Sequence, residues 1–128
     1  MKLNCTTIAC IVLLVYGMVD AKTILLTGGA GFIGSHVAEH LLHRGDNVII
    51  VDKDSSELKQ HNLHSVYTAA QKSYVKVYVT DIRNMQDMDA IVKEEKPDCI
   101  CHLAAKAGPR HSTLMPEEYL TTNIVGTM

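Results

Sequence analysis

The chain has 128 residues, enough for one domain of roughly 100–150 residues. Its net charge is −2 and no basic block occurs, so composition gives no support for nucleic-acid binding. Five tyrosines, one phenylalanine and no tryptophan make an aromatic platform for stacking bases unexpected.

Residues 1–21 are predicted to be a leader rather than part of the fold. Their apolar run, from Ile8 to Val19, is too short for a stable membrane span. Three interpretations remain open: a signal peptide cleaved before Lys22, upstream sequence preceding a start at Met18, or an uncleaved anchor. The first predicts the secretory pathway and the second predicts the cytoplasm.

A glycine-rich turn follows the first predicted strand, residues 22–27. Gly28 and Gly31 lie between that strand and an amphipathic helix predicted over 32–44, and Gly34 lies in the first turn of that helix. This strand–glycine–helix context is what the dinucleotide fingerprint requires. The glycines permit the tight turn, the approach of a pyrophosphate and close helix packing, and the helix N-terminus attracts phosphate.

The next strand predicts the adenosine end of the same site. Gly45 is expected to cap the helix, and the β-branched run 48–51 indicates a central parallel strand buried on both faces. Asp52 ends that strand, 18 residues after Gly34, where an acidic residue binds the ribose hydroxyls. Asp52 would repel a 2′-phosphate and so favours NAD over NADP, although Lys53 weakens that preference.

A polar connection follows, in which Asp54 and Glu57 are predicted to cap a short helix at about 55–64. His61 and His64 share a face of this helix. We interpret them as solvated histidines, because no third metal ligand is evident in the sequence.

Alternating valines predict a third strand over 75–79, followed at its carboxyl end by Asp81 and Ile82. Ligands bind at this edge of a doubly wound sheet. A helix is predicted from Asn84 through Glu95.

The fourth strand is predicted as a buried segment over 99–105 that ends in small residues. Cys99 and Cys101 are expected to point to one face and to be buried structural thiols. Residues 106–115 are predicted to form a loop. A helix beginning at Pro116 is expected to run to the last residue.

The alternation of strands and helices predicts an α/β fold. We expect a Rossmann-type doubly wound parallel sheet over residues 22–128, truncated after about four strands. Such a cut sheet would expose an apolar edge.

Five segments together resemble the N-terminal half of extended short-chain dehydrogenases/reductases, and within them the NAD-dependent epimerase/dehydratase family. The run 102–112 is most similar to the UDP-glucuronate 4-epimerase branch. The segments are Thr27–His36, Asp52, Asp81–Ile82, His102–Gly108 and Tyr119–Thr127.

The resemblance implies NAD as cofactor and a nucleotide sugar, specifically a UDP-sugar, as substrate. Arg110 and Ser112 would lie near that sugar. The implied cofactor contacts run from the pyrophosphate through the adenosine to the nicotinamide side: Gly28, Gly31, Phe32, Ile33, Gly34, Asp52, Asp81, Ile82, Leu103, Ala104, Ala105, Lys106 and Asn123.

The family's chemistry requires a Tyr-x-x-x-Lys pair, and this sequence contains none. We therefore assign no catalytic residue and no metal site, and predict that the chain as written is inactive. Two interpretations remain open: an incompletely recorded epimerase or dehydratase, or a non-catalytic and possibly secreted dinucleotide-binding module. The resemblance implies a homodimer only for a full-length chain.

Overall fold

The computed structural model describes residues 20–54, 56–70 and 74–128. The leader prediction therefore falls outside the described residues over 1–19. The remaining elements follow in chain order: β1 (Thr23–Thr27), α1 (Phe32–Arg44), β2 (Asn47–Asp52), α2 (Glu57–Ala69), β3 (Val75–Val79), α3 (Met85–Glu95), β4 (Cys99–His102), α4 (Pro109–Leu114), α5 (Pro116–Asn123) and a 3₁₀ turn (Val125–Thr127).

The four strands form one parallel sheet in the order β3-β2-β1-β4. Alternate residues of the central strands face opposite sides. Leu26 and Ile50 pack beneath α1 and α2, whereas Leu25 and Ile49 pack with Ile91 of α3. Helices thus cover both faces, and the predicted doubly wound Rossmann architecture is confirmed.

The first βαβ unit has the predicted form. Helix α1 occupies the predicted residues, and Gly45 ends it with φ 97°, a left-handed conformation that favours glycine. The Gly45 N–H donates to the Leu42 carbonyl at 3.0 Å. It thereby gives a partner to one of the carbonyls that the end of the helix leaves unpaired. Strand β2 is buried almost throughout, as expected for a central parallel strand.

Helix α2 is longer than the predicted segment at 55–64. Its last turns bury Val66 and Ala69 in the core shared with α1, and this tertiary packing extends the helix. The predicted cap is also wrong. Ser56 occupies the cap position without a side-chain bond, while Asp54 Oδ1 accepts the Ser56 N–H at 3.0 Å.

Strand β4 differs from the predicted buried strand in both length and burial. It ends at His102, and Ile100 is 58% exposed; among the described residues β4 pairs with β1 alone and so is an edge strand. The expectation of buried thiols is therefore wrong for Cys99, which is exposed. Cys101 is half-buried against the α1 side, and both thiols are free.

The C-terminal segment contains more structure than predicted at one point and less at another. The expected loop at 106–115 contains helix α4, which begins at Pro109, a residue suited to the first helical position. Helix α5 ends at Asn123 and is followed by the 3₁₀ turn, so it does not continue to the last residue. In the described ranges no helix has the length and apolar character needed to cross a membrane.

Candidate dinucleotide site

The turn after β1 lies against the end of β4. Gly28 has φ 70°, and its N–H donates to the Val51 carbonyl at 2.7 Å. A Cβ at Gly28 would lie 2.8 Å from Ala104 N, closer than real Cβ contacts. The absence of a side chain therefore allows the two strand ends to meet where the sheet order reverses, which is the usual ligand site of such sheets.

The other two fingerprint glycines differ in what surrounds them. Gly34 is buried, and a Cβ there would lie 2.2 Å from the Gly28 carbonyl oxygen, so helix and turn are in direct backbone contact. Gly31 caps α1 with φ −71°, and the nearest atom to its hypothetical Cβ is 3.2 Å away. Gly34 therefore serves packing, whereas a Cβ at Gly31 would be tight against one atom only, the Gly28 carbonyl oxygen.

The buried carboxylate of Asp52 lies beside this turn. Asp52 Oδ2 accepts the Ala30 N–H at 3.2 Å, and Oδ1 accepts the Asp54 N–H at 3.4 Å. Lys59 of α2 forms an ion pair with Oδ1. Asp52 is only 6% exposed, so the burial of its charge is offset by a fixed cation and two backbone donors.

A cleft along the carboxyl ends of the strands brings most predicted site residues together. It is open to solvent between the β1 turn and the segment after β4. Its lining consists of Gly28, Gly31, Val51, Asp52, Lys53, Lys59, Thr80, Asp81, Ile82, Leu103, Ala104, Ala105, Lys106 and Thr122.

Asp81 and Arg83 form a local ion pair at one end of the cleft. Arg83 Nη2 donates to Asp81 Oδ2 at 2.7 Å, and the Arg83 backbone N–H donates to Oδ1 at 2.9 Å. Hydrogen bonds from the Arg83 side chain are the largest cause that lowers the pKa of Asp81 to about 2. Asp81 is therefore anionic at neutral pH, with its charge offset by Arg83.

The hydroxyl of Thr27 fixes the start of the segment after β4. Thr27 Oγ1 accepts the backbone N–H groups of Leu103 and Ala104, both at 3.2 Å. Its single hydrogen is then directed to His102 Nδ1, 2.7 Å away. We therefore assign the His102 proton to Nε2, which lies 3.1 Å from Thr127 Oγ1 and would donate to it.

We expect Thr27→Val to lower the free energy of unfolding by about 1–3 kcal/mol, because the half-buried Ala104 N–H and the His102 ring would lose their bonds to the buried Thr27 hydroxyl. Urea denaturation measures this difference. The matched control is Thr68→Val, whose exposed hydroxyl donates only to the His64 carbonyl, with an expected change of about 0.5 kcal/mol or less. Equal losses in both variants would contradict the role assigned to Thr27.

Asn123 holds the far end of the same segment. Its Oδ1 accepts the Lys106 N–H at 2.8 Å, and its Nδ2 donates to the Lys106 carbonyl at 3.0 Å. The Lys106 ammonium pairs with Glu118 on α5. Asn123 thus contacts the cleft through the Lys106 backbone rather than by lining it.

Thr122 contributes an unpaired polar atom to the cleft. The residue is 4% exposed, and its Oγ1 has no hydrogen-bond partner among the described residues. A buried hydroxyl without a partner is costly unless a ligand or water bonds to it. Together with Gly31, which lines the same cleft, this atom fits a cleft that receives a polar ligand.

Six predicted contacts lie outside the cleft lining, and two of them, Gly34 and Asn123, act through the backbone contacts described above. Phe32 and Ile33 are 75% and 66% exposed at the start of α1, so only their backbone would face a ligand at the turn. Arg110 and Ser112 lie on α4, where Ser112 Oγ donates to the Pro109 carbonyl at 2.8 Å. Their roles remain predictions.

His61 and His64 are exposed on α2, in agreement with solvated histidines. Within residues 20–54, 56–70 and 74–128, no group of three or more metal-binding side chains occurs.

Sequence reasoning missed Thr27, Lys59 and Thr122. The only available signal for Thr122 was its place beside Asn123. Thr27 was placed at the end of the strand and at the start of the glycine motif, but it was given no contact of its own. No feature of the sequence pointed to Lys59, because its contact with Asp52 depends on how α2 packs on the sheet.

A family model described as GDP-mannose 4,6 dehydratase matches residues 25–128. The chain belongs to the NAD-dependent epimerase/dehydratase family. One curated relative in this family is a UDP-glucose 4-epimerase from Cyamopsis tetragonoloba, 34% identical over 113 residues. That alignment covers 87% of this chain and 32% of the relative.

Two solved structures of epimerases support the same membership. The UDP-glucose 4-epimerase of Stenotrophomonas maltophila, with bound NAD and formylated UDP-arabinopyranose, superposes with a TM-score of 0.73 at 31% identity, over 83% of this chain and 31% of that one. The UDP-glucose 4-epimerase from Bifidobacterium longum, in complex with NAD⁺ and UDP, superposes with a TM-score of 0.73 at 36% identity. The superposition covers 82% of this chain and 31% of that one. The chain therefore spans about a third of the length of these epimerase/dehydratase relatives.

Proposed function

We propose that this chain is the NAD(H)-binding N-terminal portion of a nucleotide-sugar epimerase or dehydratase. The observation that carries the proposal is the cleft at the carboxyl ends of the strands, where the glycine turn, buried Asp52 and the unpaired Thr122 hydroxyl meet. Family membership supports NAD as the ligand, since the two solved relatives hold it.

The cleft offers a different group to each part of the dinucleotide. Backbone N–H groups at the start of α1 would bind the pyrophosphate in front of Gly31, with the helix dipole favouring the negative charge. Asp52 would accept a ribose hydroxyl, and Asp81 with Ile82 would flank the adenine. The segment Leu103–Lys106, held by Thr27 and Asn123, would line the nicotinamide side.

The proposed activity of the full-length enzyme is C4 epimerisation of a UDP-sugar, in which bound NAD transiently accepts the C4 hydride. Arg110 and Ser112 are the proposed sugar contacts. General acid–base chemistry requires a proton-transferring group within hydrogen-bond reach of the reacting oxygen. The Tyr-x-x-x-Lys pair that supplies it in the family is absent from this sequence, so we propose that this chain alone does not turn over substrate.

An alternative is a non-catalytic dinucleotide-binding module, secreted if residues 1–21 are a cleaved signal peptide. The apolar run in those residues is the observation that favours it. N-terminal sequencing of expressed protein distinguishes a cleaved signal peptide from a start at Met18. A first residue at Lys22 indicates secretion, and a start at Met18 or Val19 indicates a cytoplasmic protein.

Independent transcripts read past codon 128 test the main proposal. We expect an in-frame Tyr-x-x-x-Lys a few tens of codons downstream, and an expressed longer chain that interconverts UDP-glucose and its C4 epimer. A stop codon after codon 128 in every transcript, with NAD binding retained, would favour the non-catalytic module.

A further inference from the structure

His102 stands at the end of β4, one residue before the cleft lining begins at Leu103. Its side chain lines a separate, mostly apolar hollow beside α3 and is not part of the cleft lining. A ligand in the cleft would therefore be affected by His102 only through its neighbours. The two ring nitrogens contact hydroxyl groups on different elements, Thr27 at the end of β1 and Thr127 in the 3₁₀ turn.

The contact with Thr27 acts on the start of the segment Leu103–Lys106. Thr27 Oγ1 accepts the N–H groups of Leu103 and Ala104, both at 3.2 Å. A hydroxyl has one hydrogen and two lone pairs. Because His102 Nδ1 accepts that hydrogen at 2.7 Å, both lone pairs remain available to the two N–H groups. His102 thus fixes the orientation of the hydroxyl that holds the start of the segment.

The contact with Thr127 leads to the end of the same segment. Thr127 Oγ1 lies 3.1 Å from His102 Nε2 and donates to the Asn123 carbonyl at 3.0 Å. The Asn123 side chain in turn binds the Lys106 N–H at 2.8 Å and the Lys106 carbonyl at 3.0 Å. One path of hydrogen bonds therefore joins the two ends of the segment by way of His102.

The hydrogens along this path all point in one direction, from Thr27 through His102 to Thr127 and the Asn123 carbonyl. With a neutral ring protonated on Nε2, each of these hydrogens has an acceptor. With the proton on Nδ1 instead, two hydrogens would compete for the contact between Thr27 and His102. The geometry therefore favours one tautomer of the ring.

The 3₁₀ turn that carries Thr127 has a fixed place in the fold. Gly126 lies so close to Ile82 and Arg83 that a Cβ on it would be 3.1 Å from the side chain of each. Thr127 is therefore a defined second point of attachment for the His102 ring.

We propose that His102 is a positioning residue for the dinucleotide. It joins Thr27 and Asn123, the two anchors of the segment Leu103–Lys106, and so holds the nicotinamide side of the cleft in its binding shape. A surface that is already ordered loses less conformational freedom when a ligand binds. This inference rests on the proposed function of the cleft as an NAD site.

Calorimetric titration of the full chain with NAD tests the proposal, at a temperature where circular dichroism shows each variant to be folded. His102→Phe keeps a ring and removes both hydrogen bonds, and it should weaken NAD binding by about tenfold. His102→Asn should bind within about threefold of the unmodified chain, because its side-chain oxygen can take the acceptor place of Nδ1. A residue that only stabilised the fold would leave the affinity of both folded variants unchanged.

Amide NMR of the same variants measures the connection between the two anchors. His102→Phe should shift the Lys106 amide, whose partner Asn123 lies at the far end of the path. The matched control is His40→Phe, which replaces an exposed histidine on α1. It should leave both the NAD affinity and the Lys106 amide unchanged.

The proposal is overturned if folded His102→Phe binds NAD as tightly as the unmodified chain, or if His102→Asn loses as much affinity as His102→Phe. Where His102→Phe does not fold, imidazole ¹⁵N NMR of the unmodified chain decides. A neutral ring protonated on Nε2 supports the path, and one protonated on Nδ1 overturns it. Absence of NAD binding by the unmodified chain would refute the proposed function and this inference together. Normal NAD binding with an unmoved Lys106 amide in His102→Phe would refute the inference alone.

Discussion

Replacing Gly34 with alanine is expected to lower the free energy of unfolding by about 3 kcal/mol or more. Alanine is the better helix former by about 1 kcal/mol, so helix propensity alone predicts the opposite sign. The added Cβ would lie 2.2 Å from the Gly28 carbonyl oxygen and 2.7 Å from Gly29 Cα. Both atoms belong to the backbone, so α1 would have to move away from the turn.

Urea denaturation followed by circular dichroism measures this loss, with Gly31→Ala as the matched control. Gly31 already has φ −71°, and its Cβ would meet only the Gly28 oxygen at 3.2 Å. We expect the control to cost about 1 kcal/mol or less. Equal stability of the Gly34→Ala variant and the unmodified chain would show that the close contact between turn and helix is absent.

Replacing Gly31 with valine is expected to weaken NAD binding by at least about 100-fold, or about 2.8 kcal/mol. The side chain would stand in front of the N-terminus of α1, where the pyrophosphate must reach the backbone N–H groups. The backbone there is already extended, with ψ 171°, so valine fits the conformation. Valine caps a helix poorly, and we expect a loss of stability of only about 1 kcal/mol.

Calorimetry with NAD measures the affinity, and circular dichroism shows whether the variant is folded. Ala90→Val, exposed on α3 away from the cleft, is the control for an added β-branched side chain and should bind NAD normally. A folded Gly31→Val variant with unchanged affinity would remove the glycine turn from the proposed site.

The first βαβ unit was predictable because its signals are local. The glycine spacing located the turn, the apolar periodicity of α1 gave its full extent, and the β-branched run placed β2 in the centre of the sheet. Most of the proposed cofactor contacts meet in one cleft because the carboxyl ends of parallel strands share one edge.

The errors arose where tertiary packing decides the outcome. An apolar sequence predicted β4 as buried, but sequence alone does not specify that, within the described ranges, the strand pairs with β1 alone and leaves Ile100 exposed. The last turns of α2 form because Val66 packs against α1. The ion pair between Lys59 and Asp52 follows from that same docking and has no sequence signature.

An NMR titration of the ¹⁵N-labelled chain with NAD tests the central claim, that the cleft binds a dinucleotide, most directly. We expect saturable shifts in the amides of Gly28, Gly31, Asp52 and the segment Leu103–Lys106, while the amide of Lys93 on the far side of α3 stays unchanged. Saturable shifts confined to residues outside the cleft, or none at millimolar NAD, would contradict the claim.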